Sequence, residues 1–147
     1  MQQQQNHDTA LLQKVYHSAS IGERATRIIH EKSQGSGMSA KLDEFIHEYA
    51  AIKQEAAHQL SAHGEAPKEP GALENTVQWM GVQLGTLMDK TPSHMAGMLM
   101  QDSTKEMIKS IEDIKQNYNT DTNVRKLAGR LVRVENDSLD AMKTFLS

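Results

Sequence analysis

Glu44 and His47, in the stretch EFIH, stand three residues apart, which is the Glu-x-x-His spacing that carboxylate-bridged di-metal helical bundles use twice. On a helix that spacing aims a carboxylate and an imidazole from one face at one ion. A second candidate set is Glu23, His30 and Glu135, three hard-to-intermediate ligands for a divalent ion such as iron or manganese. A third is TPSHMAGMLMQDSTKEM, Thr91 to Met107, where four of the nine methionines follow His94; thioether and imidazole groups converging on one point suit Cu(I). The chain has no cysteine, which excludes thiolate nucleophiles, disulfides and Cys-ligated zinc or iron–sulfur centres. Ser103 and Ser138 have no His–Asp pair at a recognisable spacing, and Gly81-Val82-Gln83-Leu84-Gly85 lacks the Lys-Ser/Thr of a phosphate loop.

Whether any of these sets can work depends on the elements that carry them. Prolines and glycines cut the sequence into helical segments. The first spans about residues 8–32 and ends at Ser33-Gln34-Gly35-Ser36-Gly37; the second, capped by Ser39, reaches His63; a third, shorter one covers about 72–89. Thr91-Pro92 reads as an N-cap with proline at the first helical position, opening a segment that ends near Asn119, and Thr120 or Asp121 caps the last. Four segments of about 25 residues, each roughly 38 Å long, match the helices of a four-helix bundle. The fold expected is all-α, a ferritin-like four-helix bundle with a short extra crossover helix, one domain over 8–147 behind a disordered tail of residues 1–7. Aromatics at 4% fit an aliphatic helical core better than a sheet.

Turning each residue by about 100° places the side chains. The first helix buries Leu12, Val15, Tyr16, Ala19, Gly22 and Thr26, with Glu23 and His30 on that stripe. The second buries Leu42, Phe45, Ile46, Tyr49, Ile52, Ala56 and Leu60, which turns Glu44 and His47 towards water. The Met-rich helix buries Ala96, Met100, Ser103, Thr104, Met107, Ile111, Ile114 and Tyr118, leaving Asp102 and Glu106 off the stripe. The last buries Val124, Leu127, Leu131, Val134, Ser138, Met142 and Phe145, with Glu135 at its edge. A di-iron or di-manganese centre needs four carboxylates and two histidines from four helices. Two inward Glu and one inward His fall short of it, and the methionines serve as adaptable packing. Trp79 and Val82 form a second apolar strip on the short helix, and Met95, Met98 and Leu99 lie on other sides of the next one. Together these five predict a shared apolar surface covered in a homodimer.

HMAGMLMQDST after the Thr-Pro break, VYHSASIGERA in the first helix and LVRVENDSLDAMKTFL in the last together resemble small ferritin-like four-helix proteins of anaerobic Firmicutes, a family of unknown function. The resemblance covers most of the chain and implies a ferritin-like bundle without a particular activity. The net charge of −3, with both signs interspersed, disfavours nucleic acid. No segment approaches a membrane span, and a cytoplasmic location is the expectation. The function expected is a non-catalytic bundle without a cofactor, acting through self-association or an unidentified protein partner. The alternatives are an iron- or manganese-binding protein or oxidoreductase using Glu23, His30 and Glu135, and a small-molecule binder lined by methionine.

Overall fold

The computed structural model describes residues 2–35, 37–69 and 91–146. Among these, four α-helices and no strand are present: α1 (Gln2–Lys32), α2 (Met38–Ala62), α3 (Pro92–Gln116) and α4 (Thr122–Lys143). The helix expected over 72–89, with Trp79 and Val82, lies outside the described residues.

The helix starts follow local chemistry. Thr91 caps α3, its Oγ1 accepting from the His94 N–H at 3.3 Å, and Pro92 stands at the first helical position. Asp121 caps α4 in the same way, accepting from the Asn123 N–H at 3.0 Å. The expected cap of α2 is displaced. Met38 is fully buried and draws the chain into the helix two residues early, so Ser39 lies inside the first turn and its hydroxyl meets His30 Nε2 at 3.2 Å. Residues 2–7, expected as a disordered tail, instead extend α1. Their helix is anchored where His7 stacks edge-on to Tyr118 and accepts from the Asn119 N–H at 3.1 Å, while Asp8 accepts from the Asp121 N–H at 2.7 Å.

Pairings between helices give the topology. Glu23 meets Lys53 and His30 meets Asp43, so α1 and α2 are antiparallel. Lys14 meets Asp113, while Ala25 and Ile29 pack with Met95 and Leu99, so α1 and α3 are antiparallel as well. Helices α2 and α3 are therefore parallel to each other, and the chain must travel back along the bundle between them. Its return begins beside α1: Gln13 Nε2 donates to the Ala66 carbonyl at 2.9 Å, Gln13 Oε1 accepts from the Lys68 N–H, and Tyr16 donates to Glu69 at 3.0 Å. Helix α4 closes the bundle antiparallel to α3 through Ser103–Ser138 and to α2 through Arg130–Glu48. The order is up, down, down, up.

The core has two apolar clusters. One is built by α1, α2 and α4 around Leu12, Val15, Tyr49, Ile52, Leu127 and Leu131. The other, nearer the start of α3, gathers Ile29, Met38, Leu42, Met95, Leu99 and Met142. On α2, every residue of the expected stripe is buried, whereas Glu23 and His30 on α1 and Phe145 after α4 are only half-buried. Gly22 is needed where α1 and α2 approach: a Cβ there would lie 2.5 Å from Cε1 and Cζ of Tyr49. Because that ring is itself buried, Gly22→Ala should cost about 1–3 kcal/mol through overpacking. Urea unfolding of the variant checks this, and an unchanged midpoint would show that the ring yields freely.

Candidate functional site

Helix α3 departs from its hydrophobic pattern. The residues it buries are Met95, Ala96, Leu99, Ser103, Glu106, Ser110 and Asp113, a stripe turned by about 100° from the expected one. Ala96 and Ser103 belong to both. Of the other expected core residues, Met100, Met107 and Ile114 are half-buried, while Thr104, Ile111 and Tyr118 are exposed. Met95 and Leu99, expected at a dimer interface, are each 1% exposed and belong to the second core cluster, with Met98 packed against it. They are covered by the chain's own helices because α3 turns this face towards Ala25, Ile29 and Met142.

The inward face of α3 makes an acidic seam with α1 and α4. Glu106 is 3% exposed and Glu135 0%. Ser110 donates to Glu135 Oε2 at 3.3 Å, and the hydroxyls of Ser103 and Ser138 lie 3.3 Å apart. Lys14 reaches Asp113 Oδ1 at 3.7 Å from the rim. Several buried atoms are left without a hydrogen-bond partner: Glu135 Oε1, Glu106 Oε1, Asp113 Oδ2, Ser18 Oγ and His17 Nε2. Ser18 lies beside Glu106, near enough to favour its charged form without closing a hydrogen bond.

Burial, with like charges close by, raises the pKa of each of these acids. Glu135 is pushed up to about 8, first by loss of solvent and then by the neighbouring Glu106, Asp102 and Asp113, although the Ser110 hydrogen bond opposes the shift. Asp102, half-buried, rises to about 7 through burial and Glu106, against Lys105. Glu106 and Asp113 also move up by burial, restrained by Lys109 with Lys105 and by Lys14 with Lys109, respectively. His17 moves the other way, to about 4, because burial and then Lys109 and Lys14 disfavour its cation. Tyr49, on α2, is held above its usual range by burial and then by Glu135, Asp102 and Glu106. The seam thus gathers carboxyl groups that burial makes harder to ionise, Glu135 and Asp102 most of all.

No protein-family model matches this chain, and neither does any curated protein or solved structure.

The seam does not coincide with the metal set expected from the sequence. Glu23 is neutralised by Lys53 at 3.1 Å and Arg27 at 3.2 Å, two cations that oppose a metal ion there. His30 is engaged by Asp43 and Ser39, both at 3.2 Å. Glu135 is in the seam with Ser110. The structure does not bring the three together, and among the described residues no group of three or more His, Asp or Glu is placed to hold a metal ion. That donor set does not fit an iron or manganese centre. Glu44 and His47 are exposed, as their spacing on α2 requires.

The other side of α3 carries the apolar residues that the core does not take. Ile108 is 62% exposed and Ile111 39%, and Leu146, just beyond α4, is 46% exposed. Gly97, Met100, Gln101, Thr104, Lys105, Ile108 and Leu146 line a shallow groove of about 640 Å³. No helix among the described residues is long and apolar enough to cross a membrane.

Proposed function

We propose that this chain is a non-catalytic helical bundle that acts by self-association through the outer face of α3. The observation that carries this reading is the groove with Ile108 and Leu146 open to solvent, because apolar side chains grouped along one helix face mark interaction surfaces. The charges beside the groove favour a second copy. Paired antiparallel about a two-fold axis between Ile108 and Lys109, α3 sets Lys105 against Glu112 of the partner subunit, and symmetry repeats the pair. Gly97 and Thr104, both small, let the backbones approach. The order up, down, down, up with one long return supports a ferritin-like architecture, in line with the resemblance drawn from the sequence. The homodimer is thus proposed on Met100, Ile108, Ile111 and Leu146 rather than on Met95, Met98 and Leu99.

Sedimentation tests the reading. The parent should be dimeric at micromolar concentration, and Ile108→Glu should weaken dimerisation at least tenfold, since a buried unpaired charge is costly. Lys105→Glu and Glu112→Lys should each weaken it, and the double swap should restore it. A monomeric parent at high micromolar concentration removes the proposal, and stoichiometric iron or manganese in the purified protein would overturn the non-catalytic reading.

A further inference from the structure

Helix α3 presents two complete faces to choose from. The inward one carries Glu106, Ser110 and Asp113; the one a single residue further along carries Met100, Met107, Ile111 and Ile114. They are about 100° apart, the turn between consecutive helical residues. We infer that α3 has two packings in this bundle, exchanged by rotation about its own axis, and that protonation of its inward carboxyls selects between them.

The surroundings of α3 allow the exchange. The larger apolar cluster is built by α1, α2 and α4, with only the half-buried Ile114 reaching it from α3. Turning the middle of α3 therefore breaks little apolar packing there. At its start, Ala96 sits on both faces, and Met100, already packed against the second cluster, can follow Leu99 into place; methionine adapts to irregular space. The present face is also incompletely bonded. Glu106 Oε1 and Asp113 Oδ2 have no partner, nor does Ser18 Oγ opposite Glu106. A neutral carboxyl tolerates such a site and an ionised one does not.

Groups facing the seam from each packed element set the direction. Lys14 and His17 face it from α1, Tyr49 from α2 and Glu135 from α4, while α3 itself contributes Asp102, Lys105, Lys109 and Glu112. The lysines favour ionised carboxylates at the rim, but among the described residues the only hydrogen bond to Glu135 is from a neutral serine. Acid conditions keep the present packing. Alkaline conditions charge Glu106 and its neighbours and turn them outward, which draws Ile111 in. This concerns the helix itself and holds whether or not its outer face pairs with a second copy.

The absence of native cysteine makes the test direct. Single variants Ser110→Cys and Ile111→Cys are labelled with a neutral thiol reagent at pH 5.5 and pH 9, each rate being normalised to the same variant unfolded in urea at that pH. The Ile111→Cys thiol should react at least tenfold faster than the Ser110→Cys thiol at pH 5.5, with the order reversed at pH 9. Adding Glu106→Gln should prevent the reversal. The same order at both pH values overturns the inference, as does labelling of both thiols at the unfolded rate at pH 9. Association alone would slow Ile111→Cys without exposing Ser110→Cys, so it too would leave the order unreversed. Should Ser110→Cys fail to fold, the Ile111 methyl of the unaltered protein serves instead. Its relaxation by a neutral paramagnetic solute should fall several-fold between the two pH values in monomer, and no change overturns the inference.

Discussion

Glu135→Gln should remove a large part of the pH dependence of this bundle's stability and make the variant more stable than the parent at pH 8. The ordinary carboxyl of an unfolded chain ionises near 4.5, whereas native Glu135 keeps its proton up to about 8. Between those values the folded state binds one more proton than the unfolded state, so stability falls as pH rises, by about 1.4 kcal/mol per pH unit. Asp102 adds a parallel loss between 3.8 and about 7. His17 works in the opposite direction. Its native value near 4 lies below the ordinary 6.5, so its contribution is present above 6.5 and is lost as pH falls towards 4. One histidine offsets one of the two acids below 6.5, and the net result is a parent most stable near pH 5 and weakening towards pH 8. Glutamine fills the same space, can keep the Ser110 hydrogen bond and has no proton to lose. Urea titrations of both proteins from pH 5 to pH 9 check this, and equal slopes in parent and variant would place Glu135 in contact with water.

Leu99→Ala should destabilise the protein by about 2–5 kcal/mol, the usual cost of emptying a close-packed aliphatic site. Leu99 is 1% exposed, within a cluster that includes Ile29, Met38, Leu42 and Met142. Ile111→Ala, at a position 39% exposed, should stay within about 1 kcal/mol under conditions where the chain is monomeric. The hydrophobic pattern of α3 alone predicts the reverse, with Ile111 in the core and Leu99 dispensable. Chemical unfolding of the two variants at pH 5.5 therefore reports which face of α3 is inside. A larger loss from Ile111→Ala would return the helix to the register of its apolar stripe.

The fold was readable because three helices obey one rule. The inward faces of α1, α2 and α4 are the apolar ones, so a turn of about 100° per residue places Leu12, Tyr49 and Leu131 correctly. Thr91-Pro92 is also a local signal, and the cap forms as written. The site was not readable because α3 breaks that rule. Its buried stripe includes Ser103, Glu106, Ser110 and Asp113, and a hydrophobic periodicity gives no weight to such residues. The available signal was the spacing itself, since Asp102, Glu106, Ser110 and Asp113 recur every three or four residues. Serines of α3 that face α4 supply the rest, and those pairs become visible only when Ser103 meets Ser138 and Ser110 meets Glu135. The metal set failed for a related reason: Lys53, the partner that neutralises Glu23, lies 30 residues away on a different helix.

The order of the helices also bears on how the chain reaches this state. Helices α1 and α2 are joined by residues 33–37 and α3 and α4 by residues 117–121, so these four helices form two helical hairpins laid side by side. Each hairpin closes a short loop and can form early, because short loops cost little chain entropy. Docking one hairpin on the other comes later and buries the acidic seam, which lies where α3 and α4 of one meet α1 of the other. Folding should therefore end with proton uptake from neutral solvent, so that acidity governs the last step of assembly more than the first.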